Sequence, residues 1–279
     1  MSQNKIKIIY KWQPYNKING SLFYCFEYLI TLLLLDKNVQ LYIYNIKDIE
    51  EQKLVIKAFK DKYDESFIGA LNSINFYNTM LDVYQNNKIE DKYVFLDIYS
   101  YNDIGSMLNL NKKFAYINNN YEYSNKHRLK EVRNTTFFGF YNYQKHPNVI
   151  KSKLKIGLTY QKCFNMGNKT YISAPEQGYK IDHKDHYIYK DILKIQNDLF
   201  NDIDKLIYIH NGLDTNNRII VEAFYHGKDV EIVEQSDIVD STHHRYSLCM
   251  TNNIDQLILN EKDLMIQHII GNIDANKRD

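Results

Sequence analysis

Arg218 and Glu222 are the residues of this chain whose types and spacing best suit the binding of a charged ligand. They lie four positions apart in a segment with helical periodicity, so both side chains would emerge on the same helix face. Arg218 would occupy the first turn, where free N–H groups and the helix dipole favour phosphate oxygens. Glu222, one turn deeper, could accept both hydroxyls of a ribose. This pattern predicts a nucleotide-diphosphate site; the alternative is an intrahelical ion pair worth a few tenths of a kcal/mol.

A strand, a helix and a second strand are predicted around this pair. Leu206–Ile209 and Val230–Val233 are short apolar runs of the kind that form buried parallel strands. Asp214 or Thr215 can cap the helix between them, and Gly227 suits the left-handed residue that ends a helix. This part of the chain is therefore predicted to be a βαβ unit.

The loop before the predicted helix is rich in polar residues, among them Asn216 and Asn217. Open α/β sheets bind ligands beyond the carboxyl ends of their strands, which is where this loop would lie. We therefore expect both asparagines to contact the same ligand as Arg218.

A set of residues in this segment has the pattern of a known family: Asp214, Asn217, Arg218, Glu222, Ala223, Gly227, Lys228 and Val230. The set resembles the donor-site helix of the GT-B glycosyltransferases, in which an acidic residue in a helix of the C-terminal domain binds the nucleotide ribose. The resemblance implies an α/β fold with two Rossmann-like domains facing each other across a cleft. It also implies a nucleotide-sugar donor, with a UDP-sugar expected, no tightly bound cofactor and no metal ion for donor binding.

The first half of the chain predicts a second βαβ unit, as that fold requires. Lys5–Tyr10 and Val39–Tyr44 have the pattern of strands, and Ser21–Leu35 has the pattern of a buried helix between them. Gly20 lies in the connecting loop. In GT-B enzymes this loop approaches the donor or acceptor, so the resemblance makes Gly20 a candidate contact; a plain turn is the alternative.

Asp97 is the candidate catalytic residue. The apolar strand Tyr93–Leu96 would deliver it to the carboxyl edge of the sheet. A carboxylate at the edge of a dry cleft could act as the general base that deprotonates an acceptor hydroxyl, which would make sugar transfer inverting. The structural alternative is that Asp97 caps the next turn.

The stretch around Asp97, YVFLDIYSYND, also resembles the bacteriophage DNA β-glucosyltransferases, in which an aromatic strand ends in the aspartate that acts as base. This second resemblance implies an acceptor of hydroxymethylated pyrimidine in double-stranded DNA. Two alternatives stay open: a glycosyltransferase acting on a saccharide or glycan, and a non-catalytic nucleotide-binding module.

A basic segment between Lys112 and Lys145 could hold such DNA. Its basic residues include Lys126, Arg128 and Arg133, and tyrosines and phenylalanines are interleaved among them. Cationic and stacking side chains together bind phosphates and bases. A solvated surface is the alternative in a chain so rich in tyrosine.

The linker between the domains is predicted at Lys145–Lys153, which contains Pro147, giving domains of residues 1–149 and 150–279. Leu154–Tyr160 would open the second domain as a strand. In GT-B enzymes the following loop commonly supplies donors to the diphosphate, so Lys162 and Lys169 are candidates; surface lysines are the alternative.

Three further helices are predicted at Ile46–Tyr63, Ile68–Tyr84 and Ile254–Ile270. The last helix is expected to pack back on the first domain. His183 and His186 lack the spacing of a helical zinc site, so no metal site is predicted.

Composition narrows the classes of protein. The formal net charge of +1 indicates no general affinity for nucleic acid. Cys25, Cys163 and Cys249 are odd in number and far apart, as buried thiols in a reducing compartment would be. Leu22–Leu35 is too short to span a bilayer and contains Glu27. We therefore expect a cytoplasmic monomer or homodimer, in a bacterial host cell if phage-encoded.

Overall fold

A computed structural model describes part of the chain: residues 5–13, 18, 20–86, 88, 91–97, 100–101, 103, 112–117, 135–139, 149–151, 167–173, 186–187, 198–210, 218–234, 246–247 and 249–271. The chain divides into two compact units. The first contains Met1–Thr159 together with Leu259–Asp279, and the second contains Tyr160–Ile258.

The first unit is built on a seven-stranded parallel sheet with the order β3-β2-β1-β4-β5-β6-β7. Its strands are β1 Ile6–Lys11, β2 Val39–Tyr44, β3 Ile74–Tyr77, β4 Lys92–Phe95, β5 Lys112–Ile117, β6 Thr135–Gly139 and β7 Val149–Lys151. The chain runs outward from β1 to β3 and restarts at β4 on the other side of β1. This is the strand order of a Rossmann fold, and its topological switch point lies between β1 and β4.

Helix α1 spans Gly20–Leu34, and its side chains from Leu22 to Leu32 are buried, which confirms the predicted core helix. Helix α2 spans Ile49–Lys62 and begins at Asp48, whose side chain accepts a hydrogen bond from the N–H of Glu51. The predicted β1–α1–β2 unit is confirmed, with β1 and β2 parallel.

The predicted helix Ile68–Tyr84 is wrong. The chain forms a 3₁₀ helix at Glu65–Ser73, the strand β3 and then the short helix α3 at Met80–Gln85. The β-branched and aromatic residues of β3 suit a pleated strand, and they pair in parallel with β2. Thr79 and Asp82 then form a capping box that starts a new helix.

Strand β7 lies inside the segment predicted to be the linker, Lys145–Lys153. Val149–Lys151 pairs in parallel with Phe137–Gly139 of β6. The division between the compact units falls after Thr159. The backbone hydrogen bonds of residues 149–151 therefore belong to the first sheet.

The second unit contains a four-stranded parallel sheet with the order β11-β10-β8-β9. Its strands are β8 Lys169–Ser173, β9 His186–Tyr187, β10 Ile203–His210 and β11 Asp229–Glu234, and its helices are α4 Asp198–Asp202 and α5 Arg218–Tyr225. Phe200, Leu206, Ile220 and Ala223 are central to its core. The predicted β10–α5–β11 unit is confirmed, whereas the predicted strand Leu154–Tyr160 lies outside the described residues.

The end of α5 is fixed by Gly227, which has φ +66° as its predicted role requires. The Gly227 N–H donates to the carbonyl of Phe224, and the Lys228 N–H donates to that of Ala223. These two bonds form a Schellman motif, which turns the chain from α5 into β11.

The last helix, α6, spans Ile254–Ile270 as predicted, and its part from Leu259 onward belongs to the first unit. The hydroxyls of Tyr24 and Tyr28 in α1 donate to the sulfur of Met265 at 3.2 and 3.0 Å. Lys92 Nζ donates to the carbonyls of Ile269 and Ile270 at 2.9 and 2.6 Å. Among the described helices, none is both long and apolar enough to cross a bilayer.

The fold is therefore α/β, with a Rossmann-like sheet in the first unit and a second parallel sheet in the other. Cys25 and Cys249 are buried thiols, as the sequence predicts, and Cys163 lies outside the described residues.

Candidate functional site

The amino end of α5 lies at the carboxyl edge of the second sheet. Strands β10 and β11 are parallel, so the helix that joins them must run back across the sheet. Arg218 is its first residue and therefore lies near the carboxyl end of β10. Asn216 and Asn217, like the proposed caps of the helix, fall outside the described residues.

Glu222 lies one turn into α5 and is buried, with 3% of its surface exposed. Its neighbours along the helix, Val221 and Ala223, are buried as well. A carboxylate is costly to bury without compensating partners, and Glu222 does interact with other groups of the protein. The ribose role of Glu222 and the intrahelical pair with Arg218 therefore both remain predictions.

The remaining donor-site candidates differ in their outcome. Lys169 is the first residue of β8 and lies at the amino end of that strand, on the opposite edge from the carboxyl ends. Its Nζ lies 3.6 Å from Asp202 Oδ2, and both side chains are partly exposed. The diphosphate contact of Lys169 stays a prediction, and Lys162 lies outside the described residues.

In the first unit, Gly20 and Asp97 lie on the predicted edge of the sheet. Gly20 is the first residue of α1, the helix that follows β1, so it lies at the carboxyl edge. Asp97 follows the end of β4 by two residues and is 6% exposed. Because β1 and β4 flank the switch point, both residues occupy the place where open α/β sheets bind ligands.

The carboxylate of Asp97 accepts hydrogen bonds at both oxygens from Ser100. The Ser100 N–H donates to Oδ1 at 2.8 Å, and the Ser100 hydroxyl donates to Oδ2 at 2.6 Å. This is the turn-capping geometry given above as the structural alternative for Asp97. The same two bonds orient the carboxylate beside the switch point.

Next to Asp97 lies a polar cluster that the sequence analysis did not identify. Lys11 Nζ contacts Asp103 Oδ2 at 2.6 Å, and the Tyr44 hydroxyl donates to the same oxygen at 3.1 Å. Burial raises the pKa of Tyr44 well above its usual value, and the negative charges of Asp103 and Asp97 raise it further. Tyr44 is therefore a permanent hydrogen-bond donor at the carboxyl edge.

Trp12 follows β1 at the same edge and is fully buried. Its backbone N–H donates to the carbonyl of Tyr44, and its own carbonyl accepts from Asn45 Nδ2, both at 2.9 Å. Its indole N–H has no acceptor within the part of the chain that the structure describes.

The opposite edge of this sheet has a polar network built on an ion pair. Lys7 Nζ contacts Asp91 Oδ2 at 2.9 Å, and the Lys5 N–H donates to the other oxygen at 3.1 Å. Lys7 also lies 5.4 Å from the ring centres of Tyr42 and Tyr93. We assign this network to stability, because it lies at the amino ends of β1 and β4.

The predicted DNA-binding residues Lys126, Arg128 and Arg133 lie outside the described residues. Lys113, from the same basic segment, is buried in β5, and this burial lowers its pKa. His183 also lies outside the described residues, and His186 forms part of β9. Within the described ranges, no group of three or more His, Cys, Asp or Glu residues could hold a metal ion.

Comparisons with known proteins add little to these observations. No protein-family model matches the sequence, and no curated protein matches it. A search of solved structures finds MurG from Acinetobacter baumannii, a GT-B glycosyltransferase, with a TM-score of 0.45 and 10% identity over 95% of this chain and 92% of that one. A likeness of this strength carries no weight for function, which must be judged from the two sheet edges.

Proposed function

We propose that this chain is a GT-B-like glycosyltransferase that moves a sugar from a nucleoside diphosphate to a hydroxyl acceptor. The observation that supports it most is the buried carboxylate of Glu222, one turn into a helix that begins at the carboxyl edge of a parallel sheet. A buried carboxylate is expensive for stability alone, so a binding role gives it a reason to be there.

The donor is proposed to bind at the amino end of α5. Backbone N–H groups of the first turn and the guanidinium of Arg218 would hold the diphosphate, with Asn216 and Asn217 nearby in the preceding loop. Glu222 would accept the ribose hydroxyls. A UDP-sugar is the expected donor.

Asp97 is proposed as the general base. The acceptor oxygen would attack the anomeric carbon while its proton passes to the Asp97 carboxylate. The bond from that carbon to the diphosphate oxygen would break, and the nucleoside diphosphate would leave. Attack from the face opposite the leaving group inverts the anomeric centre.

The acceptor proposed on the resemblance around Asp97 is hydroxymethylated pyrimidine in double-stranded DNA. Such a base would have to be flipped out of the duplex, with Lys126, Arg128 and Arg133 contacting the phosphates. A saccharide acceptor would not need these cations. Duplex binding that weakens steeply with salt, and that weakens further when the three cations are neutralised, would favour DNA; salt-independent behaviour would favour a glycan.

A non-catalytic nucleotide-binding module is the second candidate. It is favoured by the capping bonds from Ser100 to both oxygens of Asp97, which would give that carboxylate a structural task. The transferase turns over a nucleotide sugar and needs Asp97 to do so, whereas the binding module has no turnover.

A ligand screen followed by a turnover assay tests these functions. Melting temperature is measured with UDP, GDP, ADP and their sugars, since a ligand that binds the native state stabilises it. Hydrolysis of the stabilising nucleotide sugar is then compared between wild type and Asp97→Asn. Stabilisation with turnover lost in the variant supports the transferase. Stabilisation without turnover supports the binding module, and stabilisation by none of these ligands contradicts both.

A further inference from the structure

The hydroxyl of Ser100 has three acceptors within reach. Ser100 is completely buried, and its Oγ lies 2.6 Å from Asp97 Oδ2, 3.1 Å from the Asp97 carbonyl and 3.1 Å from the Ile9 carbonyl. A hydroxyl has one hydrogen and can serve one of these oxygens fully at a time. The shortest distance is typical of a charge-assisted bond, so the ionised carboxylate receives the hydrogen.

A turn cap alone does not require this hydroxyl. The backbone N–H of residue 100 already donates to Asp97 Oδ1 at 2.8 Å, and alanine at this position would keep that bond. The hydroxyl is therefore a second donor to the same carboxylate, with alternative acceptors on the chain. One of them, the carbonyl of Ile9, belongs to β1 and lies across the switch point from Asp97.

Rotation about one bond would let Ser100 follow the charge of Asp97. If the carboxylate takes up a proton, it becomes a poorer acceptor, and the hydroxyl hydrogen can turn to the carbonyl of Ile9 without backbone movement. The lone pairs of Oγ are then free to accept the new proton of Asp97. Each donor of the buried pair keeps an acceptor in both protonation states, which avoids leaving a polar group unsatisfied.

We propose that Ser100 is a positioning residue for Asp97, which holds the carboxylate ionised and then accommodates its proton by turning to the Ile9 carbonyl. The inference rests on the proposed function for the source of that proton, the acceptor hydroxyl. Its coupling to Asp97 can be measured without any turnover.

Other titratable groups near Asp97 in the described residues include Tyr44 of β2 and the carboxylate of Asp103, which contacts both Tyr44 and Lys11 of β1. Burial raises the pKa of Tyr44 above its ordinary range, so this residue stays protonated while a carboxylate titrates. Because Asp103 is a second carboxylate in this neighbourhood, the Asp97→Asn variant is what assigns a pH effect of Ser100 substitution to Asp97.

The test is a carbon-13 NMR titration of the aspartate carboxyl groups in wild type, Ser100→Ala and Ser100→Thr, with Asp97→Asn used to assign the signal. Loss of the hydroxyl should raise the Asp97 midpoint by about one to two pH units, the equivalent of one charge-assisted hydrogen bond. Ser100→Thr, which keeps a hydroxyl, should bring the midpoint back toward wild type. The acid limb of the pH profile of turnover should move by the same amount.

An unchanged midpoint in a folded Ser100→Ala protein would overturn the inference. If Ser100→Ala does not fold, Ser100→Cys replaces it with the same expectations, because a thiol has similar size and is a weak donor. A raised midpoint in a protein that turns over no nucleotide sugar would support the coupling and overturn the proposed transferase.

Discussion

The substitution Glu222→Gln gives a sharp test of the donor site. Glutamine has the shape of glutamate and keeps one acceptor oxygen, so it removes the charge without opening a cavity. If Glu222 accepts the ribose hydroxyls, its bonds are charge-assisted, and their loss should cost about 1.5 to 3 kcal/mol of binding free energy. The dissociation constant of the nucleoside diphosphate should then rise about 10- to 150-fold.

The burial of Glu222 places the expected effect toward the upper end of this range. With 3% of its surface exposed, the carboxylate is shielded from competing water, and hydrogen bonds are stronger in such surroundings. An exposed ion pair on the same helix would give a change of less than about 1 kcal/mol, and salt would reduce it.

Isothermal titration calorimetry at constant salt measures this effect, with Glu231→Gln as the matched control. Glu231 belongs to the same unit but is half-exposed, and its carboxylate contacts Lys205 Nζ at 2.7 Å. The control should bind the nucleotide as wild type does. Equal dissociation constants for Glu222→Gln and wild type would refute the ribose role, whereas equal losses in both variants would point to a general effect of charge.

Three further predictions concern the framework that holds the sites. Gly227→Ala should lose about 1 to 2 kcal/mol of unfolding free energy in urea, because alanine is strained in the left-handed conformation of Gly227, although its Cβ would meet nothing within 4 Å. The control is Gly69→Ala, where a Cβ is equally unhindered and φ is not positive, and it should lose less. Equal losses in the two variants would refute backbone strain as the cause. Lys92→Met removes the donor to the last carbonyls of α6, so amide hydrogen exchange at that end of the helix should accelerate. Unchanged protection would contradict a role of these two hydrogen bonds in holding the helix end. Burial raises the pKa of Tyr28 and Tyr44 above the ordinary value of 10.0. Their contribution to the free energy of unfolding is therefore complete below that pH and is lost above it, by about 1.4 kcal/mol per tyrosine and pH unit. Phenolate absorbance should appear together with unfolding, and its appearance before unfolding would contradict the burial of these tyrosines.

Much of the fold follows from patterns that are local in the chain. Two apolar runs, apolar residues at helical spacing and Gly227 predict the β10–α5–β11 unit. Helix α6 has the predicted bounds Ile254–Ile270. The failure at Ile68–Tyr84 has a physical reason. Apolar residues recur there at nearly helical spacing, while the strand conformation of Ile74–Tyr77 depends on pairing with β2, which a local pattern does not contain.

The candidate sites were predictable to different degrees. Asp97 could be placed at the sheet edge because a strand delivers its next residue there. The cluster of Lys11, Tyr44 and Asp103 could not, because its members come from three segments that only the sheet register brings together. The position of Lys169 at the amino edge of its sheet, where it begins β8, was not visible in the local pattern, because the segment gives no exact strand bounds.

Hydrogen–deuterium exchange with and without a nucleoside diphosphate tests the central claim most directly, because it locates the bound anion along the chain. Binding at the amino end of α5 should slow exchange in residues 211–222 and leave the edge around Asp97 nearly unchanged. Protection confined to the first unit, or none at a ligand concentration that raises the melting temperature, would contradict the proposed donor site.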